Sequence, residues 1–129
     1  INYCSTSSNS AGVGAVMGFT GSASLAANDL TLTTSGLPAS TFGVYLYGPT
    51  QDNQPAGNGT LCVAQPFGIL GVVLAGTGGT SSLLLDMTSL PGGPVNTGDT
   101  LHFQLWYRDR PGGGSGNNLS DGLQATFCD

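Results

Sequence analysis

Apolar and polar residues alternate with a period of two along several short stretches of the chain. Between residues 13 and 27 the odd positions are mostly apolar and the even positions mostly small or polar. Residues 101–108 alternate in the same way, as do residues 123–128. Because successive side chains of a strand point to opposite faces, this period predicts half-buried β-strands. In the strand over 101–108 the predicted inward side chains are Leu101, Phe103, Leu105 and Tyr107.

Other short apolar runs lie at residues 30–35, 41–48, 60–65, 69–76 and 80–90, and turn residues separate them. The polar run 50–59, TQDNQPAGNG, is predicted to be a loop. No window carries the apolar stripe of an amphipathic helix. The pattern therefore predicts an all-β chain of seven to nine short antiparallel strands, folded as an immunoglobulin-like or jelly-roll β-sandwich. At 129 residues we expect a single domain over 1–129, with 1–12 an extended N-terminal segment.

The charge balance is acidic and sparse. Seven Asp face two Arg, the net charge is −5, and Lys and Glu are absent. Such a surface repels phosphate groups, so nucleic acid and anionic membranes are excluded as partners. No apolar run reaches the ~20 residues of a spanning helix, so no membrane insertion is expected. Since the chain begins INYC, without Met or an apolar leader core, we interpret it as a mature secreted product.

The inventory for catalysis is poor. The only histidine, His102, lies in the middle of a predicted strand, where we expect it to face the surface or to be hydrogen-bonded. No nucleophile elbow and no tuned carboxylate pair accompany it. We therefore predict no enzymatic activity and no cofactor. Zinc spacing is absent; Ca²⁺ is a lesser alternative, with candidate oxygens in the last hairpin connection from Asp109, Asn117, Asn118 and Asp121.

The segment 99–129 holds the only Trp and the only two cations of the chain. If its strands pair across the PGGGSGNN loop, Arg108 and Asp121 lie near the two ends of that loop and are predicted to form an ion pair that fastens the hairpin. Arg110 is a candidate ligand contact. The outer face of this hairpin, with His102 and Trp106, is the predicted contact surface for another subunit or a glycan.

An aromatic platform for sugar is a second interpretation of the same region. Trp106 with Tyr45 or Tyr47 could stack on the C–H face of a carbohydrate, although a lone Trp more often packs against neighbours or at an interface. Two sequons, at Asn58 and Asn118, are candidate N-glycosylation sites, with plain loops as the alternative.

Three cysteines imply one disulfide and one remaining thiol in an oxidising compartment. The preferred pair is Cys4–Cys62, which would tie the N-terminal segment to the sandwich, and Cys4–Cys128 is the rival. Cys128 is predicted to face outward, as a free thiol or one that joins a neighbouring subunit.

The motifs NYCSTSSNSAG, NDLTL, SGLP, GNGTLCV and WYRDRPGGGSGNNLSDGL follow one another along nearly the whole chain. In this order they resemble a family of small secreted or surface β-sandwich domains of environmental bacteria. The resemblance implies the same fold and an extracellular or cell-surface location. It also implies the Cys4–Cys62 bridge, because these positions match the recurring cysteines of the family, whereas Cys128 is an addition to the pattern.

Taken together, the sequence predicts a non-enzymatic structural subunit of an extracellular fibril or surface layer. We expect it to assemble with itself, as a homo-oligomer or helical filament, through β-strand edges or the N-terminal segment. The alternative is a carbohydrate-binding or adhesion module of a bacterial surface protein.

Overall fold

A computed structural model describes residues 1–129 and confirms the all-β class. The only helical piece is a three-residue 3-10 turn, Arg110–Gly112, and no helix has the length and apolar composition that a bilayer-spanning segment requires. The eleven strands are β1 (Asn2–Tyr3), β2 (Val16–Thr20), β3 (Thr31–Ser35), β4 (Phe42–Gly48), β5 (Gln51–Ala56), β6 (Gly59–Val63), β7 (Gly68–Leu74), β8 (Ser81–Leu84), β9 (Thr100–Arg108), β10 (Asn117–Leu119) and β11 (Gly122–Thr126).

The larger sheet has the order β1-β11-β9-β4-β7, with every neighbouring pair antiparallel. Its central strand β9 is the longest, and β10 and β11 both pair with it on the same side. The predicted hairpin across the PGGGSGNN loop is therefore confirmed, with Arg108 opposite Asn117 and Phe103 opposite Leu123. The smaller sheet has the order β2-β3-β8.

The core lies between these two sheets. The alternation over 101–108 is confirmed, because its four apolar side chains are all buried in one cluster. The alternation over 13–27 holds only in part: Ala15 and Met17 are buried, but Val13 and Phe19 are about half exposed. The large side chains that fill the core from both sheets include Leu32, Tyr45, Phe103, Leu105, Tyr107 and Leu123.

The polar run 50–59 is not a loop, as the sequence had predicted, but most of a β-hairpin. β5 and β6 pair across the two-residue turn Gly57–Asn58, with Ala56 opposite Gly59. The hairpin packs on the outer face of the larger sheet, where the amide of Cys62 donates to Oε1 of Gln104 over 2.9 Å. This contact with the larger sheet explains why a polar sequence forms strands. The two strands bind backbone groups and the buried side-chain amide of Gln104, and they do not need a second apolar face.

The N-terminal segment 1–12 is not extended away from the domain. β1 pairs with β11, and the backbone of Ile1 exchanges hydrogen bonds with Gln124. Further along, Asn9 donates its side-chain amide to the Tyr107 hydroxyl over 3.1 Å. The segment is therefore an integral edge of the larger sheet.

Candidate functional site

The outer face of β9 is covered rather than open. His102 and Gln104 are both buried, because β6 and the N-terminal segment lie across them. Gln104 donates to the carbonyls of Thr60 (2.8 Å) and Ser120 (2.6 Å) and so joins three strands. The expectation that this face contacts a glycan or another subunit is wrong for His102, since its side chain is not accessible.

His102 has a neutral surrounding. Its Nε2 lies 3.2 Å from Oε1 of Gln124, the Tyr3 ring meets it edge-on at 5.4 Å between centroids, and its Nδ1 is buried without a hydrogen-bond partner. No carboxylate and no hydroxyl nucleophile is hydrogen-bonded to the ring. This arrangement is that of a packed side chain on the edge of a buried polar layer.

The predicted ion pair between Arg108 and Asp121 does not form. Asp121 is buried on the other side of the hairpin end and accepts from the amide of Met17 (2.7 Å) and the side chain of Asn2 (2.9 Å). Arg108 is exposed and lies over the Trp106 ring, with 5.2 Å from Cζ to the centroid. The register explains the error, because Arg108 pairs with Asn117, four residues before Asp121.

The four oxygens considered for Ca²⁺ have separate partners. Both carboxylate oxygens of Asp109 accept from Ser10, at 2.9 Å from its amide and 2.5 Å from its hydroxyl. Asp121 binds Met17 and Asn2 as described, and Asn118 donates to the carbonyls of Ser7 and Ser8. The acidic side chains therefore anchor the N-terminal segment, and no group of three or more acidic, His or Cys side chains converges.

The disulfide joins Cys4 to Cys62, which confirms the preferred pair over Cys4–Cys128, and Cys128 is an exposed free thiol. The bond closes a loop with a sequence separation of 58 residues. It links the N-terminal segment to β6, and the Tyr3 hydroxyl donates to the Cys62 carbonyl over 2.7 Å beside it. A buried structural disulfide of this kind indicates an oxidising environment.

The two sequons differ in accessibility. Asn118 is buried and its amide nitrogen is held by two carbonyls, so it cannot carry a glycan in the folded state. Asn58 lies in the β5–β6 turn, is half-buried, and donates to the Gly113 carbonyl over 2.8 Å. The prediction at Asn118 is therefore wrong, and Asn58 is left as the single candidate.

Trp106 does not form a platform with either tyrosine. Tyr45 and Tyr47 are buried on the inner face of β4, whereas Trp106 lies on the outer face opposite Val44. Trp106 instead lines a shallow groove of about 340 Å³ whose wall is almost entirely apolar. The other lining residues include Val44, Leu46, Leu61, Phe67, Ile69 and Leu119.

This groove runs into the edge of the larger sheet. β7 is the terminal strand, pairs only with β4, and carries no charged residue and no Pro in its sequence GILGVVL. Val72 is 68 % exposed, and Leu74, Ile69 and the neighbouring Phe42 are each about half exposed. Four of the nine exposed large apolar side chains of the chain thus lie on this unpaired edge strand and the adjoining start of β4.

The smaller sheet ends on the same side of the molecule. Its terminal strand β8 lies beside β7, and Leu84 is 66 % exposed. An open cleft of about 650 Å³ separates the two edges. At its floor the Tyr45 hydroxyl bonds to Thr34 (2.8 Å) and Ser81 (2.9 Å), and burial raises the pKa of Tyr45. We name this side, formed by β7 and β8, the open flank.

The sequence contains the apolar run of β7, but its alternation does not reveal that this strand would be terminal. A strand at the sheet edge and one at the centre have the same pattern when the outer face is also apolar. No signal in the run identifies it as an edge strand, since edge strands of soluble proteins usually carry a charge and this run has none.

Comparison of the chain with protein-family models, with curated proteins and with solved structures finds no match. The class of the molecule thus follows from the geometry alone: an antiparallel β-sandwich, stabilised by one disulfide, with one flank closed and the other open.

Proposed function

We propose that this protein is a structural subunit of an extracellular fibril or surface layer, and that copies of it associate through the open flank. The observation that carries the proposal is the edge strand β7, which combines unpaired backbone groups with exposed apolar side chains. A second copy of the same chain is the partner that this edge fits. Two β7 edges can pair antiparallel across a two-fold axis without bringing like charges together, since neither carries a charge; this contact forms a dimer, which a second contact extends into a fibril.

The energetics favour such a contact. Pairing two edges satisfies backbone groups that water otherwise solvates, and it buries the side chains of Val72, Leu74 and Ile69 on both copies. Burial of each large aliphatic side chain contributes up to about 1.5–3 kcal/mol. A bulge at Leu70, where Tyr45 pairs with Gly71 and Leu46 with Ile69, limits the regular edge to residues 71–74. The contact is therefore short and depends on these few side chains.

Donation of the N-terminal segment is the less favoured route. Residues 1–12 are tied to their own sheet by strand pairing, by the disulfide, and by hydrogen bonds from Asn9 and Ser10. Releasing them would break all of these contacts at once. Assembly through a preformed edge requires no such rearrangement.

An extracellular or cell-surface location follows in the same proposal. The Cys4–Cys62 disulfide fits an oxidising compartment, and the near absence of charge fits a protein that is packed against copies of itself rather than diffusing among nucleic acids. Cys128 is exposed and available for a bond between subunits. Such a bond would be an addition to the strand-edge contact, so a Cys128→Ser variant should still assemble.

Sedimentation velocity and negative-stain microscopy of the purified protein over a range of concentrations test the proposal. We expect the wild type to form oligomers or filaments, and Val72→Lys to lose the strand-edge contact and sediment as smaller species because it places a charge in the apolar contact. Val13→Lys is the matched control, since Val13 is also half exposed but lies before β2. A wild-type protein that stays monomeric at every concentration would contradict the proposal.

The carbohydrate-binding alternative has weaker support in the geometry. The groove beside Trp106 offers Gln65 as its one polar lining side chain, whereas sugar sites need several hydrogen-bonding groups. Titration of the protein with polysaccharides, compared with a Trp106→Ala variant of unchanged fold, distinguishes the two functions. Binding that is lost in this variant, with the wild type monomeric, would favour the carbohydrate module.

A further inference from the structure

The two cations of the chain lie together at one end of the sandwich. Arg108 ends β9, and Arg110 begins the short 3-10 turn that follows. Both are exposed, and neither guanidinium has an ion pair or a hydrogen bond within the chain; the Arg108 guanidinium lies over the Trp106 ring. They flank an open groove of about 460 Å³, whose other lining residues include Ser40, Thr41 and Phe42. We name this the arginine end.

Four exposed carboxylates lie at the opposite end. Asp99 precedes the first residue of β9, and Asp129 meets the Thr97 hydroxyl beside it. In the smaller sheet, Asp29 precedes β3 and Asp86 follows β8, at the ends where Thr31 pairs with Leu84. All four accept hydrogen bonds from neutral groups only, so their negative charges are not compensated. We name this the acidic end.

We propose that the arginine end of one copy binds the acidic end of the next, so that subunits associate head to tail. This inference rests on the proposed self-assembly. It specifies which two surfaces of neighbouring copies meet in one of the contacts. A chain whose only arginines are unpaired, and whose opposite end carries an excess of unpaired carboxylates, is complementary to a translated copy of itself. Because the two surfaces differ, the contact is heterologous and does not stop at a dimer.

The head-to-tail contact is separate from the strand-edge contact. Arg108 and Asp99 lie at the two ends of β9, which is separated from β7 by β4. Pairing of two β7 edges therefore leaves both ends accessible. The two contacts also respond differently to salt, since ion pairs at an exposed surface are screened over about 8–10 Å at physiological ionic strength whereas apolar burial is not.

Charge-reversal variants of the two ends test the inference by sedimentation velocity at low and high NaCl. The first variant is Arg108→Glu/Arg110→Glu, with Arg110→Glu alone as a milder form that leaves the Trp106 contact intact. The second is Asp99→Arg/Asp129→Arg. Asp52→Arg is the control, because this half-buried residue lies in the β5–β6 hairpin and belongs to neither charged set. We expect each end variant alone to associate at least about tenfold more weakly than the wild type.

Mixing the two end variants should restore association, because each then meets the opposite charge, while Asp52→Arg should behave as the wild type. High salt should weaken wild-type association. If the wild type assembles but neither end variant nor salt has an effect, the head-to-tail contact is refuted and the strand-edge proposal stands. Loss of binding to an acidic polysaccharide in Arg110→Glu, with unchanged assembly, would assign the arginines to a glycan instead. A wild type that never assembles refutes both proposals.

Discussion

The edge strands of the two sheets are covered on one flank of the sandwich and uncovered on the other. On one flank, which we name the closed flank, the N-terminal segment adds β1 beside β11, a disulfide fixes Cys4 to β6, and the buried Asp121 holds Asn2 and Met17. On the open flank, β7 and β8 end their sheets without a cover and expose Val72 and Leu84.

This difference separates stability from assembly. On the closed flank, strand pairing, the disulfide and side-chain hydrogen bonds connect residues that are distant in sequence. The open flank lacks every device that usually protects an edge, apart from one bulge. We therefore expect changes on the closed flank to lower the free energy of unfolding, and changes on the open flank to affect association with little effect on the monomer.

The largest effect is expected from removing the disulfide. For a separation of 58 residues, the double variant Cys4→Ala/Cys62→Ala should lose about 2–4 kcal/mol of unfolding free energy in urea denaturation. The physical reason is the greater freedom of the unfolded chain, together with the release of the N-terminal segment. Cys128→Ala is the control and should leave the midpoint unchanged. Equal midpoints for the double variant and the wild type would show that the closed flank does not depend on the bond.

A smaller loss is expected from Asp121→Asn. The amide can still accept from Met17, but it turns a donor towards the side-chain nitrogen of Asn2 in a buried position. We expect a loss of about 2 kcal/mol, as for other buried hydrogen bonds to charged groups. Asp52→Asn, whose amide oxygen can still accept from the backbone amide of its neighbour Asn53, should cost less than about 0.5 kcal/mol.

The matching change on the open flank is Val72→Ala. Measured on the monomer, it too should stay within about 0.5 kcal/mol, because this side chain is largely exposed. If Val72→Ala costs the monomer as much as Asp121→Asn, the distinction between the flanks fails.

A further effect appears only at alkaline pH. Burial, followed by the charge of Asp121, raises the pKa of Tyr3 from 10.0 to about 12. The folded state therefore keeps the phenol proton where the unfolded chain has released it, so this contribution to stability is full below pH 10 and is lost between about 10 and 12. Ultraviolet absorbance titration should show one late-ionising tyrosine fewer in Tyr3→Phe, and the stability of this variant should fall less over that range.

The part of the fold that the sequence predicts is the arrangement of its buried apolar side chains. The alternation of Leu101, Phe103, Leu105 and Tyr107 is sufficient to place the inner face of β9, because a strand that slips by one residue would expose all four. The outer face is different. His102 was expected to face the surface or to be hydrogen-bonded, and β6 of the β5–β6 hairpin, together with the N-terminal segment, buries it and Gln104.

That hairpin had a recognisable signal. The Gly57–Asn58 pair, between Ala56 and Gly59, is a two-residue turn of the type that joins antiparallel strands. Its flanking residues are polar because their partners are Gln104 and backbone groups, so an argument from apolar alternation alone could not detect it. The ion pair with Arg108 failed for a related reason: nearness along a hairpin did not reveal that Asp121 points to the N-terminal segment.

The scarcity of basic residues has a consequence for proteolysis. A protease of trypsin type cuts after Lys or Arg but not before Pro, and here the only such peptide bonds are Arg108–Asp109 and Arg110–Pro111. The second is protected by its proline. The first is held on both sides, since Thr41 donates to the Arg108 carbonyl and the Asp109 amide donates to Gly116 over 2.8 Å. The folded chain should thereby resist digestion by one of the commonest classes of secreted hydrolase.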